Sequence, residues 1–304
     1  MKKSPASKSK LSIGPLLFNW SADKVRDFYY KIADEAPVDY VYVGEVVCSK
    51  RAYGKDYLPD VIERLEKAGK TVIISGLSLI MDDRDAKMDK DNTELAADYL
   101  IEANDLSTIG LLSGKDHAIG PFVNIYNEAA LNYFEAKGAK RISLPHELSA
   151  HSLKALSKAA VSSELEVQVF GRLPLAISAR CYHARANNLN KSGCQYVCDR
   201  DADGLTVDTT DGVPFLVING LQTMSYTYCN LMAELKDLTA MGINNFRLSP
   251  HDVDMVKISN LYRQCLDGKI TASEATFVLE DDVFNAEFSN GFYHGKPGLE
   301  QVDI

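Results

Sequence analysis

The chain lacks a long apolar run, and this absence excludes one class of protein. No stretch of its 304 residues approaches the roughly 20 apolar residues that a membrane-spanning helix needs. The N-terminal stretch MKKSPASKSKLSIGPLLFNW joins a basic head to a short apolar run, and no small-residue cleavage site follows that run. We therefore expect a cytoplasmic protein without a membrane span. A disordered basic arm over residues 1–10 should precede a single folded domain over residues 11–304.

Excess positive charge is also missing. The net charge is −9 at pH 7, although four of the first ten residues are lysine, so the rest of the chain is more acidic still. This charge disfavours broad contact with the phosphates of nucleic acids, and we expect no nucleic-acid partner. The charged run MDDRDAKMDKDN at residues 81–92 is typical of a solvated loop, and otherwise of a surface where a partner docks.

Several familiar catalytic signatures are absent as well. No predicted strand is followed by the G-x-G-x-x-G turn that binds nucleotides, and no G-x-S-x-G nucleophile motif occurs. The stretch HELSAH at residues 146–151 comes near the zinc motif H-E-x-x-H, but His146 and His151 are five positions apart. On a helix that spacing leaves the two rings about 140° out of register, so they could not share a zinc ion. Peptidase activity is therefore a minor alternative.

A repeated pattern dominates what remains: an amphipathic helix, a glycine, and then a β-branched run. It occurs at residues 61–75, 128–144 and 231–248. In each copy the glycine stands where a helix ends with a left-handed residue, at Gly69, Gly138 and Gly242. Helices that alternate with buried strands at this spacing indicate parallel βα units.

Eight candidate strands follow from the apolar runs. They are residues 11–18, 38–44, 71–75, 107–112, 122–126, 141–145, 165–170 and 243–249. Eight strands in a chain of this length predict an α/β protein with a TIM-like (β/α)₈ barrel, and a doubly wound open sheet is the rival fold. Residues 171–230 interrupt the rhythm between strands seven and eight. This insertion predicts a cysteine-bearing loop and an antiparallel β-hairpin with Asp-Gly turns at Asp203-Gly204 and Asp211-Gly212.

Cysteine is scarce, yet half of the six residues lie within eighteen positions. Cys181, Cys194 and Cys198 occupy a polar stretch of the insertion, and Cys48 follows predicted strand two. Loops after barrel strands share one rim of the barrel and carry the active site there, so four thiolates could converge at that rim. Cys229 and Cys265 lie in apolar surroundings and are expected to pack in the core.

Clustered thiols in a reducing compartment indicate a metal site or redox chemistry more often than disulfides. Thiolates select iron–sulfur clusters or zinc. Structural zinc usually uses two close cysteine pairs, whereas here only Cys194 and Cys198 are closely spaced. The spacing thus favours a cluster. The alternative, that all of these cysteines are ordinary buried side chains, stays open.

Several stretches together carry a family resemblance. They are GEVVCSKR (44–51), GPFVNIYNEAAL (120–131), FGRLPLAISARCYHAR (170–185), the spaced cysteines after it, and NGFYHGKPG (290–298). These stretches resemble the collagenase-like peptidase family, and within it the proteins that act in oxygen-independent ubiquinone biosynthesis. The similarity runs from about residue 11 to residue 300.

The resemblance implies a 4Fe–4S cluster on Cys48, Cys181, Cys194 and Cys198. It also implies a heterodimer with a UbiU-like protein that hydroxylates the aromatic ring of prenylated quinone precursors without dioxygen. Prephenate would be the oxygen donor, and a lipid-carrier protein would present the substrate. Two other functions remain open, namely hydroxylation of RNA bases, as in other relatives, and a cluster-bearing scaffold whose partner performs the chemistry.

A dianion such as prephenate would be held best by a bidentate guanidinium group. Arg172, Arg180 and Arg185 flank Cys181 and are the candidate catalytic residues of this kind, although arginines on a rim more commonly pair with acidic neighbours. Glu45 is a further candidate. It is expected to be an inward barrel carboxylate paired with Lys50 or Arg51, structural as readily as catalytic. Other polar candidates near strand ends are Asn124, Asn127, His146, Glu147, His183, Arg247 and Ser249.

Overall fold

A computed structural model describes residues 9–51, 57–280 and 286–303. Residues 1–8 of the predicted basic arm lie outside the described residues. The strands are β1 (Lys10–Ile13), β2 (Tyr40–Gly44), β3 (Thr71–Ser75), β4 (Leu100–Ala103), β5 (His117–Ile119), β6 (Ala139–Ser143), β7 (Glu164–Ile177), β8 (Leu205–Asp208), β9 (Pro214–Asn219), β10 (Gln222–Asn230), β11 (Asn245–Leu248) and β12 (Phe288–Ser289).

Helices follow most of the parallel strands. They are α1 (Ala22–Glu35), α2 (Leu58–Lys67), α3 (Asp83–Glu94), α4 (Leu106–Leu112), α5 (Glu128–Ala136), α6 (Ala150–Ala159), α7 (Tyr182–Ala186), α8 (Leu235–Met241), α9 (Met255–Leu266) and α10 (Ala272–Val278). The three predicted helix-ending glycines, Gly69, Gly138 and Gly242, all have positive φ, as expected. None of the helices in the described ranges is long and apolar enough to cross a bilayer.

Eight parallel strands close into a barrel, which confirms the (β/α)₈ prediction. Strands β1 to β7 pair in sequence, and β11 lies between β7 and β1. The closure is defined by register, since Asn245 of β11 faces Lys10 on one side and Glu166 on the other. Successive side chains of β2 point to opposite faces of the sheet. Val41 and Val43 join the main apolar core, whereas Tyr42 belongs to a separate cluster.

Two of the predicted strands are wrong, although the count of eight is right. Residues 107–112 belong to helix α4, and residues 122–126 begin within the 3₁₀ turn at Pro121–Val123 and continue as irregular chain rather than forming a strand. A short apolar run does not distinguish a strand from a helix. At residues 107–112 the helix is favoured by Asp105, whose side chain accepts the backbone N–H of Ser107 and so caps the start of the helix. The actual fourth and fifth strands are β4 and β5.

The acidic run at residues 81–92 is also not a loop. Most of it forms α3, and its carboxylates at i and i+4, Asp85 and Asp89, are buried. Both accept backbone N–H groups from the segment after β3, Asp89 from Leu77 and Asp85 from Met81. The buried acids therefore hold the loop that follows β3.

The insertion has the predicted strand-rich form. Strand β7 continues past the barrel to Ile177, with Gly171 at a positive φ, and pairs antiparallel with β10. Strands β8, β9 and β10 complete an antiparallel extension of the sheet. The turn at Asp211-Gly212 joins β8 to β9 as predicted, whereas the turn at Asp203-Gly204 precedes β8 and does not join two strands of the hairpin.

The barrel interior contains ion pairs where such barrels usually hold branched apolar side chains. Arg247 donates to both Glu166 (2.6 and 3.0 Å) and Glu102 (2.6 Å). Glu166 also accepts hydrogen bonds from Arg141 and from the Tyr42 hydroxyl, both at 2.8 Å. Two arginines thus balance two buried glutamates inside the barrel.

Candidate functional site

One cavity at the rim of the barrel gathers four of the cysteines. Cys48, Cys181, Cys194 and Cys198 all line a cavity of about 20 Å³, hereafter the cysteine cavity. Cys48 comes from the loop after β2, and the other three come from the insertion after β7. More than a hundred residues of chain separate these two segments, and closure of the barrel brings them together. Cys229 and Cys265 pack in the main apolar core instead, as predicted.

Glu45 holds the loop that carries Cys48. Its buried carboxylate accepts the backbone N–H groups of Val47 (2.7 Å) and Cys48 (2.9 Å). The guanidinium of Arg51 lies 3.6 Å from the same carboxylate. Of its two predicted partners, Glu45 therefore has Arg51, while Lys50 donates to the carbonyls of Lys191 and Ser192. In this structure Glu45 positions Cys48.

The insertion fixes its three cysteines by local contacts. Cys181 caps α7, and its Sγ lies 3.4 Å from the N–H of Ala184 and 3.2 Å from the carbonyl oxygen of Gly220. Between Cys194 and Cys198 the chain turns sharply through two left-handed residues, Gln195 (φ 49°) and Tyr196 (φ 55°). A non-glycine residue in this region is strained, so the tight turn keeps the two thiols on the same side of the chain at some energetic cost.

Polar groups from the barrel face these thiols. Asn19 donates its side-chain N–H to Cys198 Sγ at 3.3 Å. Burial raises the thiol pKa of Cys48, Cys181 and Cys198, and the buried positive charge of Arg51 acts against this in all three. Arg51 is fixed by the carbonyl of Leu17 and by Asn219. Burial in the cavity therefore favours the protonated form of the thiols. The positive charge of Arg51 would favour the thiolate form.

The donors are not arranged for a single metal ion. Within residues 9–51, 57–280 and 286–303, no group of three or more His, Cys, Asp or Glu side chains converges closely enough to hold one ion. A zinc ion with four thiolates at about 2.3 Å would need such convergence. The four cysteines instead surround a shared space.

The three candidate arginines have different surroundings in the structure. Arg172 is buried, and its guanidinium donates to Asp203 (3.0 and 3.1 Å) and to the carbonyls of Ser225 and Tyr226. It also lies over the ring of Tyr228. Arg180 and Arg185 are exposed on either side of Cys181. His183 is buried with its Nε2 2.9 Å from Asp201.

The pairing of Asp203 with His251 was not anticipated from the sequence, because 48 residues separate them. His251 Nδ1 lies 2.6 Å from Asp203, and its Nε2 accepts the backbone N–H of Arg172 at 2.9 Å. The Nδ1 therefore carries the proton. Burial alone would raise the pKa of Asp203, but the hydrogen bond from His251 and the positive charge of Arg172 outweigh it and lower the pKa to about 2.

This pKa predicts a contribution to stability that depends on pH. A carboxyl in the unfolded chain titrates near pH 3.9, so ionised Asp203 stabilises the folded state fully above about pH 4, and the contribution is lost as the pH falls to about 2. We expect Asp203→Asn to lower the free energy of unfolding by about 2 kcal/mol at pH 7, with a smaller difference at pH 3. Urea unfolding at both pH values measures this. Asp208→Asn, at an exposed position on β8, is the matched control, and an equal loss in both variants would contradict the prediction.

A second cavity opens at the mouth of the barrel, beside the cysteine cavity. This mouth pocket has a volume of about 230 Å³ and is formed by the loops after β3, β5 and β6 and by the extension of β7. It is lined by Ser78, Leu79, Pro121, Phe122, Asn124, His146, Glu147, Pro174, Leu175, Ala176 and Ile177. His146 lies in a turn at its base, whereas His151 is exposed on α6, so the two histidines do not act together.

Comparison with known proteins gives a family. Residues 20–303 match the sequence profile of Peptidase family U32. An uncharacterized protease of Methanocaldococcus jannaschii, MJ0090, is 24% identical over 287 residues, covering 86% of this chain and 70% of that protein.

Two solved enzymes align with the barrel. Phospho-2-dehydro-3-deoxyheptonate aldolase from Thermotoga maritima has a TM-score of 0.44 at 8% identity, covering 93% of this chain and 72% of its own. Dihydropteroate synthase from Thermus thermophilus has a TM-score of 0.43 at 12% identity, covering 87% of this chain and 94% of its own. Similarities this low carry no information about substrate or reaction.

Proposed function

Since the chain belongs to peptidase family U32, and since four of its cysteines share one cavity, we propose that it is a UbiV-like iron–sulfur subunit. With a UbiU-like partner it would hydroxylate the aromatic ring of prenylated ubiquinone precursors without dioxygen. The oxygen donor would be prephenate, and a lipid-carrier protein would present the substrate. We place this activity in the cytoplasm, where thiols stay reduced.

The observation that carries the proposal is the cysteine cavity. Four thiols that line one cavity suit a polynuclear cluster, in which cysteine ligands are spread over several irons. Three of them lie on residues 181–198 and the fourth, Cys48, lies in the loop after β2, so the ligands would come from two separate segments of the chain. The residues that would hold a 4Fe–4S cluster are Cys48, Cys181, Cys194 and Cys198.

The surroundings of the cavity fit a negatively charged group. Arg51 supplies a buried positive charge, which would offset part of the negative charge of the thiolates. The N–H groups of Asn19 and Ala184 already point at sulfur, and hydrogen bonds of this kind set the reduction potential of a cluster. When bound, such a cluster would supply one-electron transfer next to the barrel mouth.

Peptide hydrolysis, which the family name suggests, finds little support in the side chains. A serine-type mechanism needs a histidine nitrogen free to take a proton from the nucleophile. In the pair formed by His251 and Asp203, that nitrogen accepts the backbone N–H of Arg172. The described residues also offer no three-donor group for a catalytic zinc ion. Base hydroxylation on RNA remains the second enzymatic candidate, and the acidic composition speaks against it.

The test is the metal content of protein purified without air. We expect brown protein with about four irons and about four acid-labile sulfides per chain. Hydroxylation of a prenylphenol should then be assayed with this chain alone, with the UbiU-like partner alone and with both. Colourless protein loaded with zinc would contradict the proposal, and full activity of the partner alone would reduce this chain to a scaffold.

A further inference from the structure

We infer that the mouth pocket binds the uncharged ring of a phenol and that His146 is the side chain that pairs with its hydroxyl group. This inference rests on the proposed function for the identity of the substrate, and it names the place where the ring would lie. It concerns residues of this chain that the cysteine cavity does not include.

The lining of the pocket favours an uncharged ligand. Seven of the lining residues are apolar: Leu79, Pro121, Phe122, Pro174, Leu175, Ala176 and Ile177. No lysine or arginine lines it, and its one ionisable acid is Glu147. A carboxylate or phosphate placed here would lose water without gaining a counter-charge, which costs several kcal/mol. At about 230 Å³ the pocket exceeds the roughly 150 Å³ of a cavity that admits benzene.

His146 is the feature that points to a hydroxyl group on the ligand. Both ring nitrogens are buried, and neither has a hydrogen-bond partner among the described residues. Burial and the nearby charge of Arg247 lower the pKa of His146 to about 3, so the imidazole is neutral and offers one donor and one acceptor. A phenol hydroxyl matches this pair of roles. Because water does not reach the nitrogens, the ring must rotate for them to contact a ligand in the pocket.

An unpaired buried polar group destabilises the folded state by about 1–3 kcal/mol. A ligand that pairs with the group would remove this cost. Glu147, the neighbour of His146, already accepts the hydroxyl of Tyr126 at 2.8 Å. Asn124 also lines the pocket, but its side chain is exposed to water, so His146 is the polar lining residue whose buried nitrogens need a partner.

The mouth pocket lies next to the apolar cluster that packs around the cysteines. Phe122 lines the mouth pocket and also packs against the cluster of side chains that contains Cys48, Cys181 and Cys194. A ring bound in the pocket would therefore lie close to the side chains that pack around the cysteines. This location suits a substrate of a redox centre on these cysteines. An anionic oxygen donor would have to bind elsewhere, for example near the exposed Arg180 and Arg185.

The experiment measures binding to the full chain, purified anaerobically, by isothermal titration calorimetry. The probes are 2-prenylphenol, its methyl ether, which cannot donate a hydrogen bond, and 3-prenyl-4-hydroxybenzoate, which carries a carboxylate. We expect the phenol to bind at least about tenfold more tightly than either analogue, as the loss of one buried hydrogen bond implies.

Three variants locate the binding. His146→Phe keeps the approximate size of the ring and removes both the donor and the acceptor, so it should weaken phenol binding about tenfold and reduce the difference in affinity between the phenol and its methyl ether. His151→Phe on the exposed face of α6 is the matched control and should change nothing. If His146→Phe does not fold, Leu175→Trp, at a half-exposed lining position, should block the pocket instead.

The results separate this inference from the proposed function. Equal binding of phenol and carboxylate, or wild-type affinity in both His146→Phe and Leu175→Trp, would overturn the inference even if the protein holds a cluster. Phenol binding that depends on His146 in a protein without iron would support the pocket and overturn the iron–sulfur proposal alone.

Discussion

Replacing Cys194 by alanine should reduce the iron content of anaerobically purified protein from about four to less than one atom per chain. Cys194 lines the cysteine cavity at the near end of the turn through Gln195 and Tyr196. Removing one of four ligands opens a cubane to solvent and to loss of iron. The measurement is iron and acid-labile sulfide per chain, together with the visible absorption that gives the brown colour.

The matched controls are the two cysteines outside the cavity. Cys265→Ala and Cys229→Ala remove thiols that pack in the main apolar core, and both variants should keep their iron. Cys48→Ala is the most informative partner, because Cys48 reaches the cavity only through closure of the barrel. If Cys48→Ala keeps its full iron and colour while Cys194→Ala loses them, the cluster does not use the ligand set proposed here.

Much of the fold could be predicted from the sequence because its signals are local. The helix, glycine and strand pattern repeats within about 20 residues, and each glycine takes its left-handed conformation regardless of what packs around it. The prediction failed where local signals were ambiguous. The strand at residues 100–103 carries Glu102, whose buried charge makes sense only beside Arg247, 145 residues later.

Part of the candidate site could likewise be predicted from the sequence, and part could not. The rim position of the cysteines follows from strand order alone, since loops after parallel strands end on one side of a barrel. The roles of the arginines do not follow from it. Arg172 lies beside the cysteines in sequence, yet its guanidinium is held by Asp203 and two carbonyls of β10. Arg51, which the sequence suggested only as a partner of Glu45, is a buried cation that lines the cysteine cavity and acts to lower the pKa of three of its thiols.

The second large effect should come from the ionic interior of the barrel. Arg247 contacts Glu102 and Glu166, and the side chains of all three are at most 4% exposed. Burial opposes the ionisation of Glu166, but the charges of Arg141 and Arg247 outweigh this and lower its pKa to about 2. Replacing Arg247 by methionine leaves a buried negative charge without its counter-charge, which typically costs about 3–5 kcal/mol. With about 2.1 cal/mol/K of unfolding entropy per residue, Tm should fall by about 5–8 °C.

Arg26→Met provides the matched control, because Arg26 also pairs with two carboxylates, those of Asp23 and Asp27, but on the exposed face of α1. Surface pairs gain little free energy, since water and salt screen them, and no measurable change in Tm is expected. Both substitutions are best compared in the Cys194→Ala background, where no cluster complicates the unfolding transition. A similar Tm for the two variants would mean that the barrel interior admits enough water to solvate Glu102 and Glu166. The ion pairs would then contribute no more to stability than those on the surface.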